Sequence, residues 1–288
     1  MYSAEVSMQY RVSPRVRVLL LPLVVGLAGC DMSLGHLTAR ATEEWTHTYS
    51  LSPGGEVRIV NTNGRIDVEG VDGSTVEVRA ERIARGATEA AARELLPRIV
   101  IKEDSRPDRV SLETERMSGI MIGVAFEVRY HVRAPIGAAI NVTNTNGAVA
   151  VTSLSGKVIA HTTNGGVTGR NLTGGVDARS TNGGVSIDMA AVGPERITVH
   201  TTNGGVTLAL PQNAKADLSA SCTNGGINVS ALDGLEVSEK SRRHFEGRLN
   251  GGGTQVEVET TNGGIRVRSR DVANTSTETD TPERLKSR

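Results

Sequence analysis

Large aromatic residues are scarce in this chain: its 288 residues include one tryptophan, four tyrosines and two phenylalanines. A core without large rings has to be filled by Val, Ile, Leu, Ala and Thr, and the β-branched residues among these fit the pleated surface of a sheet. The shortage therefore predicts thin, closely stacked β-layers and argues against a thick globular core.

Cysteine and net charge are also in short supply. The chain has two cysteines, Cys30 and Cys222, and its 32 basic residues are balanced by 32 acidic ones. If Cys30 is modified, as its surroundings indicate, no disulfide can form within one mature chain, so packing and hydrogen bonds must hold the fold. Because there is no basic surplus to neutralise phosphates, the composition excludes nucleic acid as a predicted partner.

The first 30 residues have the layout of a bacterial lipoprotein signal. The basic residues at its start are Arg11, Arg15 and Arg17. The apolar run VLLLPLVVGLAG at 18–29 is too short for a comfortable membrane span, and it leads into LAGC at Cys30. The pattern predicts a signal peptide at 1–29, lipidation of Cys30 and a tether at 30–42. An ordinary signal peptide or an uncleaved anchor is the alternative, and Met8 is an alternative start.

The same signal predicts where the mature protein resides. A lipid on Cys30 would hold the chain outside the cytoplasm, attached to a membrane of a bacterial cell envelope. Asp31, directly after the cysteine, resembles the inner-membrane retention signal of some lipoproteins. The membrane, reached through the N-terminal lipid, is therefore the first predicted partner.

Glycine is abundant, and much of it lies in a repeated phrase. The triplet T-N-G occurs seven times, and in the middle of the chain it recurs at intervals of 18, 18, 21 and 21 residues. Its asparagines are Asn63, Asn146, Asn164, Asn182, Asn203, Asn224 and Asn262. Periods near 20 residues are typical of solenoids, in which each coil is one supersecondary unit stacked on the next.

Within each repeat, apolar residues alternate with polar ones. The third residue after each asparagine is a valine or an isoleucine: Ile66, Val149, Val167, Val185, Val206, Ile227 and Ile265. A second alternating run precedes the later asparagines, as in Val158, Ala160 and Thr162. A period of two indicates a strand with one buried face, so each coil is predicted to contain two strands across a narrow interior.

The T-N-G phrase is predicted to form the corner between these two strands. Glycine adopts positive φ without a steric clash, and asparagine tolerates the left-handed region, so the chain can turn sharply there. The corner glycines are Gly64, Gly147, Gly165, Gly183, Gly204, Gly225 and Gly263. Stacked asparagines can also hydrogen-bond to one another along a solenoid. We therefore assign the repeated residues a structural role.

The repeat defines the predicted architecture: an all-β, single-stranded β-solenoid of about six to seven coils with one short inserted helix. Residues 43–139 form a β-rich N-terminal region with the helix at 88–96. Residues 140–270 form the regular coils, interrupted by a polar excursion at 235–249. Residues 271–288 lack apolar periodicity and are predicted to be a disordered tail.

Few residues of the repeat offer reactive chemistry. His161 and His200 share an outward column, but they are predicted to lie two coils apart, about 9–10 Å, with Arg179 between them. Cys222 occupies a column otherwise filled by Thr and Ser and is interpreted as a small packed residue. The outward positions also place no two carboxylates on adjacent coils. The sequence therefore predicts no catalytic residue, no metal ligand and no cofactor.

The repeated segments resemble a known family. The resemblance rests on the TNG[GA][VI] strands, on SLSPGGEVRIVNTNGRIDVEG near the start and on FEGRLNGGGTQVEVETTNGGIRVR near the end, and it covers roughly residues 45–268. In these features the chain resembles the DUF4097 family of bacterial β-strand-repeat proteins, which are also labelled adhesins. The resemblance implies an envelope or membrane-associated protein and supplies no enzymatic activity and no catalytic residues.

Together these features predict a non-catalytic, lipid-anchored cell-envelope protein. It would act as a β-solenoid scaffold or an adhesin-like interaction surface, with an envelope protein or a glycan as the candidate partner. The alternative is an extracytoplasmic β-helix protein that binds or acts on polysaccharide. Aromatic platforms for sugars are few, but ladders of Thr and Asn would offer a repeating polymer a polar surface.

Overall fold

The computed structural model describes residues 39–115 and 124–270. The predicted signal peptide, Cys30 and the tail at 271–288 lie outside these residues. The described part contains β1 (Ala39–Ser50), β2 (Glu56–Asn63), β3 (Ile66–Val71), β4 (Thr75–Gly86), α1 (Glu89–Leu95), β5 (Ile101–Arg106), β6 (Arg109–Thr114), β7 (Ala125–Pro135), β8 (Ala139–Asn146), β9 (Val149–Thr152), β10 (Val158–Asn164), β11 (Val167–Leu172), β12 (Val176–Asn182), β13 (Val185–Met189), β14 (Ile197–Asn203), β15 (Val206–Leu210), β16 (Ala216–Asn224), β17 (Ile227–Ser230), β18 (Leu235–Lys240), β19 (His244–Leu249), β20 (Thr254–Asn262) and β21 (Ile265–Ser269). A 3-10 turn at Leu96–Arg98 follows α1.

The strands form two sheets with the core between them. Every strand that ends at a T-N-G asparagine belongs to an eleven-stranded sheet, called here the asparagine sheet, in the order β18-β19-β16-β20-β14-β12-β10-β8-β2-β6-β5. The strands that follow the corner glycines belong to a ten-stranded sheet, called here the opposite sheet, in the order β1-β4-β7-β3-β9-β11-β13-β15-β21-β17. Each coil therefore has one strand in each sheet, and the predicted all-β solenoid fold is confirmed.

Neighbouring coils are parallel and in register. In the asparagine sheet, Val158 lies between Ile140 and Val176, and Asn164 lies between Asn146 and Asn182. Because side chains alternate along a strand, this register places each inward residue beside its equivalent on the next coil. The inward columns are small and almost completely buried, which keeps the core thin.

The coils do not stack in chain order at either end. The pair β20–β21 is inserted between β14–β15 and β16–β17, and the pair β6–β7 lies outside β2–β3. At the C-terminal end the cause is the hairpin β18–β19. Its strand β19 pairs antiparallel with one edge of β16. Strand β20, which follows the hairpin, therefore pairs with the other edge of β16, the one that faces β14. The polar excursion predicted at 235–249 is this hairpin, and its Phe245 and Leu249 are buried.

The N-terminal region closes the other end of the core. The helix α1 packs against β1 and β4 and buries Ala92, and the hydroxyl of Thr88 caps it by accepting from the amide of Ala91 at 3.2 Å. The predicted tether is too long at its end, because β1 begins at Ala39. Residues 39–42 pair with β4 along its last residues, so they belong to the sheet.

Candidate interaction surface

The corner glycines are required by close contact between coils more than by backbone conformation. Positive φ, as predicted, occurs at Gly64, Gly147, Gly165 and Gly263, with values from 125° to 158°. At Gly183, Gly204 and Gly225 φ lies outside the left-handed region, so that part of the prediction is wrong. A Cβ at these three positions would lie 2.1, 2.3 and 1.8 Å from the carbonyl oxygen of the neighbouring coil's glycine. No side chain fits at such distances, whatever its φ.

The seven asparagines form one continuous ladder of side-chain hydrogen bonds. Asn182 Nδ2 donates to Asn164 Oδ1 at 2.8 Å, and Asn203 Nδ2 donates to Asn182 Oδ1 at the same distance. The complete order is Asn224, Asn262, Asn203, Asn182, Asn164, Asn146 and Asn63, each donating to the next. The ladder runs along the exposed corner and follows the spatial order of the coils, so it fixes their spacing from outside the core.

A second set of hydrogen bonds fixes the corner from inside. The inward hydroxyls of Thr162, Ser180 and Thr201 donate to the carbonyl of the first corner glycine on the neighbouring coil, at 3.0, 2.8 and 2.7 Å. Thr260 does the same to Gly204 at 2.9 Å. Buried hydroxyls need a partner, so this contact explains why the column contains Thr and Ser. The corners of these four coils are thereby held on both faces.

The outward residue before each asparagine is always threonine, and these residues form what we call the threonine strip. Its members are Thr62, Thr145, Thr163, Thr181, Thr202, Thr223 and Thr261. All seven are partly or fully exposed. Within the described residues their hydroxyls make no hydrogen bond to the protein. The strip is therefore a regular row of solvent-facing hydroxyl groups beside the asparagine ladder.

The charged residues farther from the corner form local pairs. His161, Arg179, His200 and Glu259 follow one another across four adjacent strands of the asparagine sheet. Asp177 accepts from Arg179 at 2.7 Å and lies 3.3 Å from His161 Nε2, while His200 lies 3.5 Å from Glu259. Burial alone would raise the pKa of Asp177, but the hydrogen bonds from Arg179 and the nearby imidazole of His161 outweigh it and lower that pKa below its usual value. The face thus carries balanced charge.

One group of side chains in the described part has the composition of a metal site. Glu239, His244 and Glu246 on the hairpin β18–β19 place one ligand atom each within 4.8 Å of one another. The sequence analysis missed this group because β19 brings Glu246 opposite Glu239 only after a register shift in the hairpin. In the structure His244 Nε2 lies 3.9 Å from a carboxylate oxygen of Glu239 and 3.3 Å from one of Glu246. These contacts account for the group without an ion.

An open groove of about 700 Å³ lies at the Asn63 end of the ladder. Three arginines line it: Arg65 donates to Asp67 at 2.7 Å, Arg129 donates to Glu127 at 2.6 Å, and Arg85 forms no ion pair with a described residue. Its lining therefore mixes basic and acidic side chains. The remaining reactive side chain of interest, the Cys222 thiol, is buried and lies 3.9 Å from the carbonyl oxygen of Arg242, as a small packed residue does.

Replacing Asn182 by leucine should lower the free energy of unfolding by about 1–2 kcal/mol, because it removes two exposed ladder hydrogen bonds at about 1 kcal/mol each. The matched variant Thr181→Val removes a hydroxyl that bonds no described residue, and its effect should stay within about 0.5 kcal/mol. Urea unfolding at an unchanged m-value measures both. Equal losses in the two variants would contradict the assignment of the ladder as the stabilising element.

Membrane crossing by a helix has no support in the described residues, since no helix there is long and apolar enough to span a bilayer.

The family model described as Toastrack DUF4097 matches residues 100–268. Among solved structures, the chain is similar to a "putative cell adhesion protein" from Clostridium sporogenes, with 11% identity and a TM-score of 0.42 over 79% of this chain and 100% of that one. It is also similar to a "putative adhesin" from Bacteroides fragilis, with 11% identity and a TM-score of 0.34 over 79% of this chain and 97% of that one. No curated protein matches the sequence significantly. Because the family model covers more than half of its residues, the chain belongs to the Toastrack DUF4097 family.

Proposed function

We propose that this chain is a non-catalytic, lipid-anchored protein of the bacterial cell envelope, and that its solenoid serves as a rigid scaffold or interaction surface. The observation that supports the proposal is the unbroken ladder of seven asparagines along one exposed corner. A regular row of identical polar groups is suited to contact with an extended partner. Catalysis instead needs different groups converging on one point.

Rigidity follows from the bonds at the corner. Each central coil is tied to its neighbour by backbone bonds, by the outer asparagine amide and by the inner hydroxyl, as at Asn182 and Ser180. Rotation of one coil against the next would break all three sets together. A partner that binds the corner therefore meets a surface that is already ordered, which reduces the entropy cost of binding.

The position of the proposed lipid anchor comes from the sequence. Cys30 lies nine residues before Ala39, where β1 begins, and nine extended residues reach about 30 Å. A lipid on Cys30 would hold the solenoid close to its membrane, within reach of other envelope components. Several acyl chains on one cysteine make such anchoring stable, whereas one chain binds reversibly.

The anchor is tested by cell fractionation of the Cys30→Ala variant, which should move the protein from the membrane to the soluble fraction. Retention of the variant in washed membranes would overturn the lipid anchor. The interaction role is tested in the same cells with a photo-crosslinking residue at Arg179, on the outward face of the asparagine sheet, and a control at Ser186, on the outward face of the opposite sheet in the same coil.

Adducts that form from Arg179 and not from Ser186 support an interaction surface on the asparagine sheet. Mass spectrometry of the adducts separates a protein partner from a glycan. Equal crosslinking from both positions, or from neither, would contradict a directed surface and leave a scaffold role alone. A glycan adduct would favour the alternative of a polysaccharide-binding protein, for which the exposed hydroxyls of the threonine strip are the supporting observation.

A further inference from the structure

The threonine strip is invariant among the repeats although the columns around it vary. The next outward column on the asparagine sheet reads Val60, Thr143, His161, Arg179, His200, Glu259 and Ser221 in the spatial order of the coils. An outward column of the opposite sheet reads Asp67, Ala150, Thr168, Ser186, Thr207, Arg266 and Asn228. Solvent-facing positions of these coils thus accept almost any residue. Every position of the threonine strip, in contrast, is a threonine.

The fold does not explain why this residue is threonine. Exposure favours a polar side chain and a strand favours a β-branched one, but the neighbouring outward columns accept Arg, Ser and Asn under the same conditions. The inward column, where hydroxyls do bond the corner glycines, tolerates Asn144, Ser180 and Cys222 in place of threonine. The outward hydroxyls bond nothing in the described protein, yet none of the seven is replaced. A hydroxyl that is retained and unused by the fold indicates a ligand outside the chain.

We propose that the threonine strip binds a linear, uncharged polysaccharide that lies across the coils, perpendicular to the strands. The inference rests on the proposed function and names the ligand class for that interaction surface. The strip together with the asparagine ladder offers a line of hydroxyl donors and acceptors and of amide N–H groups not consumed by the ladder. Neither row contains a formal charge, so a neutral polymer is the complementary partner.

The dimensions of the strip fit such a polymer. Adjacent strands lie about 4.8 Å apart, so seven threonines span about 29 Å. An extended chain of pyranose rings advances by a comparable distance per sugar, so about six sugars can lie along the strip with one threonine near each. The threonine methyl groups add apolar contact with the C–H faces of the rings. Aromatic residues usually supply this contact, and the strip contains none.

The experiment is a calorimetric titration of the full, detergent-purified chain with soluble hexamers of β-1,4-linked glucose and of β-1,4-linked N-acetylglucosamine, and with the corresponding monosaccharides. The expected result is binding of at least one hexamer that is insensitive to salt, with no detectable binding of its monomer. The triple variant Thr163→Val, Thr181→Val and Thr202→Val should weaken hexamer binding at least about tenfold, since each lost polar contact leaves a sugar hydroxyl unpaired.

The matched control changes hydroxyls on the same three coils but on the opposite sheet: Thr168→Val, Ser186→Ala and Thr207→Val. This variant should bind the hexamer like the unmodified chain, and both triple variants should melt within a few degrees of it. Undiminished binding by the strip variant, equal loss in the control, or binding to neither hexamer would overturn the proposal. If the hexamers fail while Arg179 crosslinks to a protein in cells, the glycan assignment is wrong and the interaction surface stands.

Discussion

The variant Gly204→Ala is expected to lose about 3 kcal/mol of folding free energy, the upper part of the range for overpacking a rigid interior. The added Cβ would lie 2.3 Å from the carbonyl oxygen of Gly183 and 2.6 Å from its carbonyl carbon. That oxygen cannot move aside freely, because it accepts from the hydroxyl of Thr201 at 2.7 Å. The amide of Gly204 is held in turn by the carbonyl of Asn262 at 2.9 Å. Relief of the clash therefore requires two coils to separate.

Thermal and urea unfolding measure this loss, and the neighbouring residue provides the control. A Cβ on Gly205 would come no closer than 3.4 Å to the Gly264 oxygen, an ordinary contact, and its φ lies outside the left-handed region. Gly205→Ala should therefore change stability by less than about 1 kcal/mol. If both variants lost stability equally, backbone freedom at the corner would be the cause in place of contact between coils. If neither did, the coils would be more loosely stacked than the ladder implies.

The second large effect is expected for Phe245→Ala, at about 3–5 kcal/mol. Phe245 is 2% exposed and is the largest side chain with which the hairpin β18–β19 fills the C-terminal end of the core. It lies beside Ala220 on β16, so its removal leaves a cavity next to residues too small to fill it. The loss should appear locally as faster amide hydrogen exchange in β16 and β19, because the hairpin covers that edge.

Val237→Ala in the same hairpin is the control for this effect. Val237 is 50% exposed, so its truncation should cost less than about 1 kcal/mol and leave hydrogen exchange in β16 unchanged. If Phe245→Ala lowered the global stability but amide hydrogens in β16 exchanged no faster than those of the other coils, the hairpin and the coils would unfold as one unit. Normal stability of that variant would contradict the hairpin's role as the closure of this end.

Much of the candidate surface could be read from the repeated phrase. The period of two around each T-N-G identified both strands of the coil and the inward columns, because burial on one face of a strand imposes that alternation directly on the sequence. The same register placed His161, Arg179 and His200 in one outward row. The invariant threonines were visible as part of the phrase. That their hydroxyls bond no described residue follows only from the tertiary structure, which gives the partners of the neighbouring polar groups.

Local sequence thus fixed the all-β coil, its two strands and its corner, since these depend on residues close together in the chain. The order of the coils depends on the tertiary structure. Every coil has the same apolar pattern, so the sequence of β20 is compatible with pairing beside many strands. Because β19 already pairs with one edge of β16, β20 pairs with the other edge. The corner glycines follow the same logic. Their sequence suggests positive φ, but at Gly183, Gly204 and Gly225 the constraint is a carbonyl oxygen on another coil, which no local pattern contains.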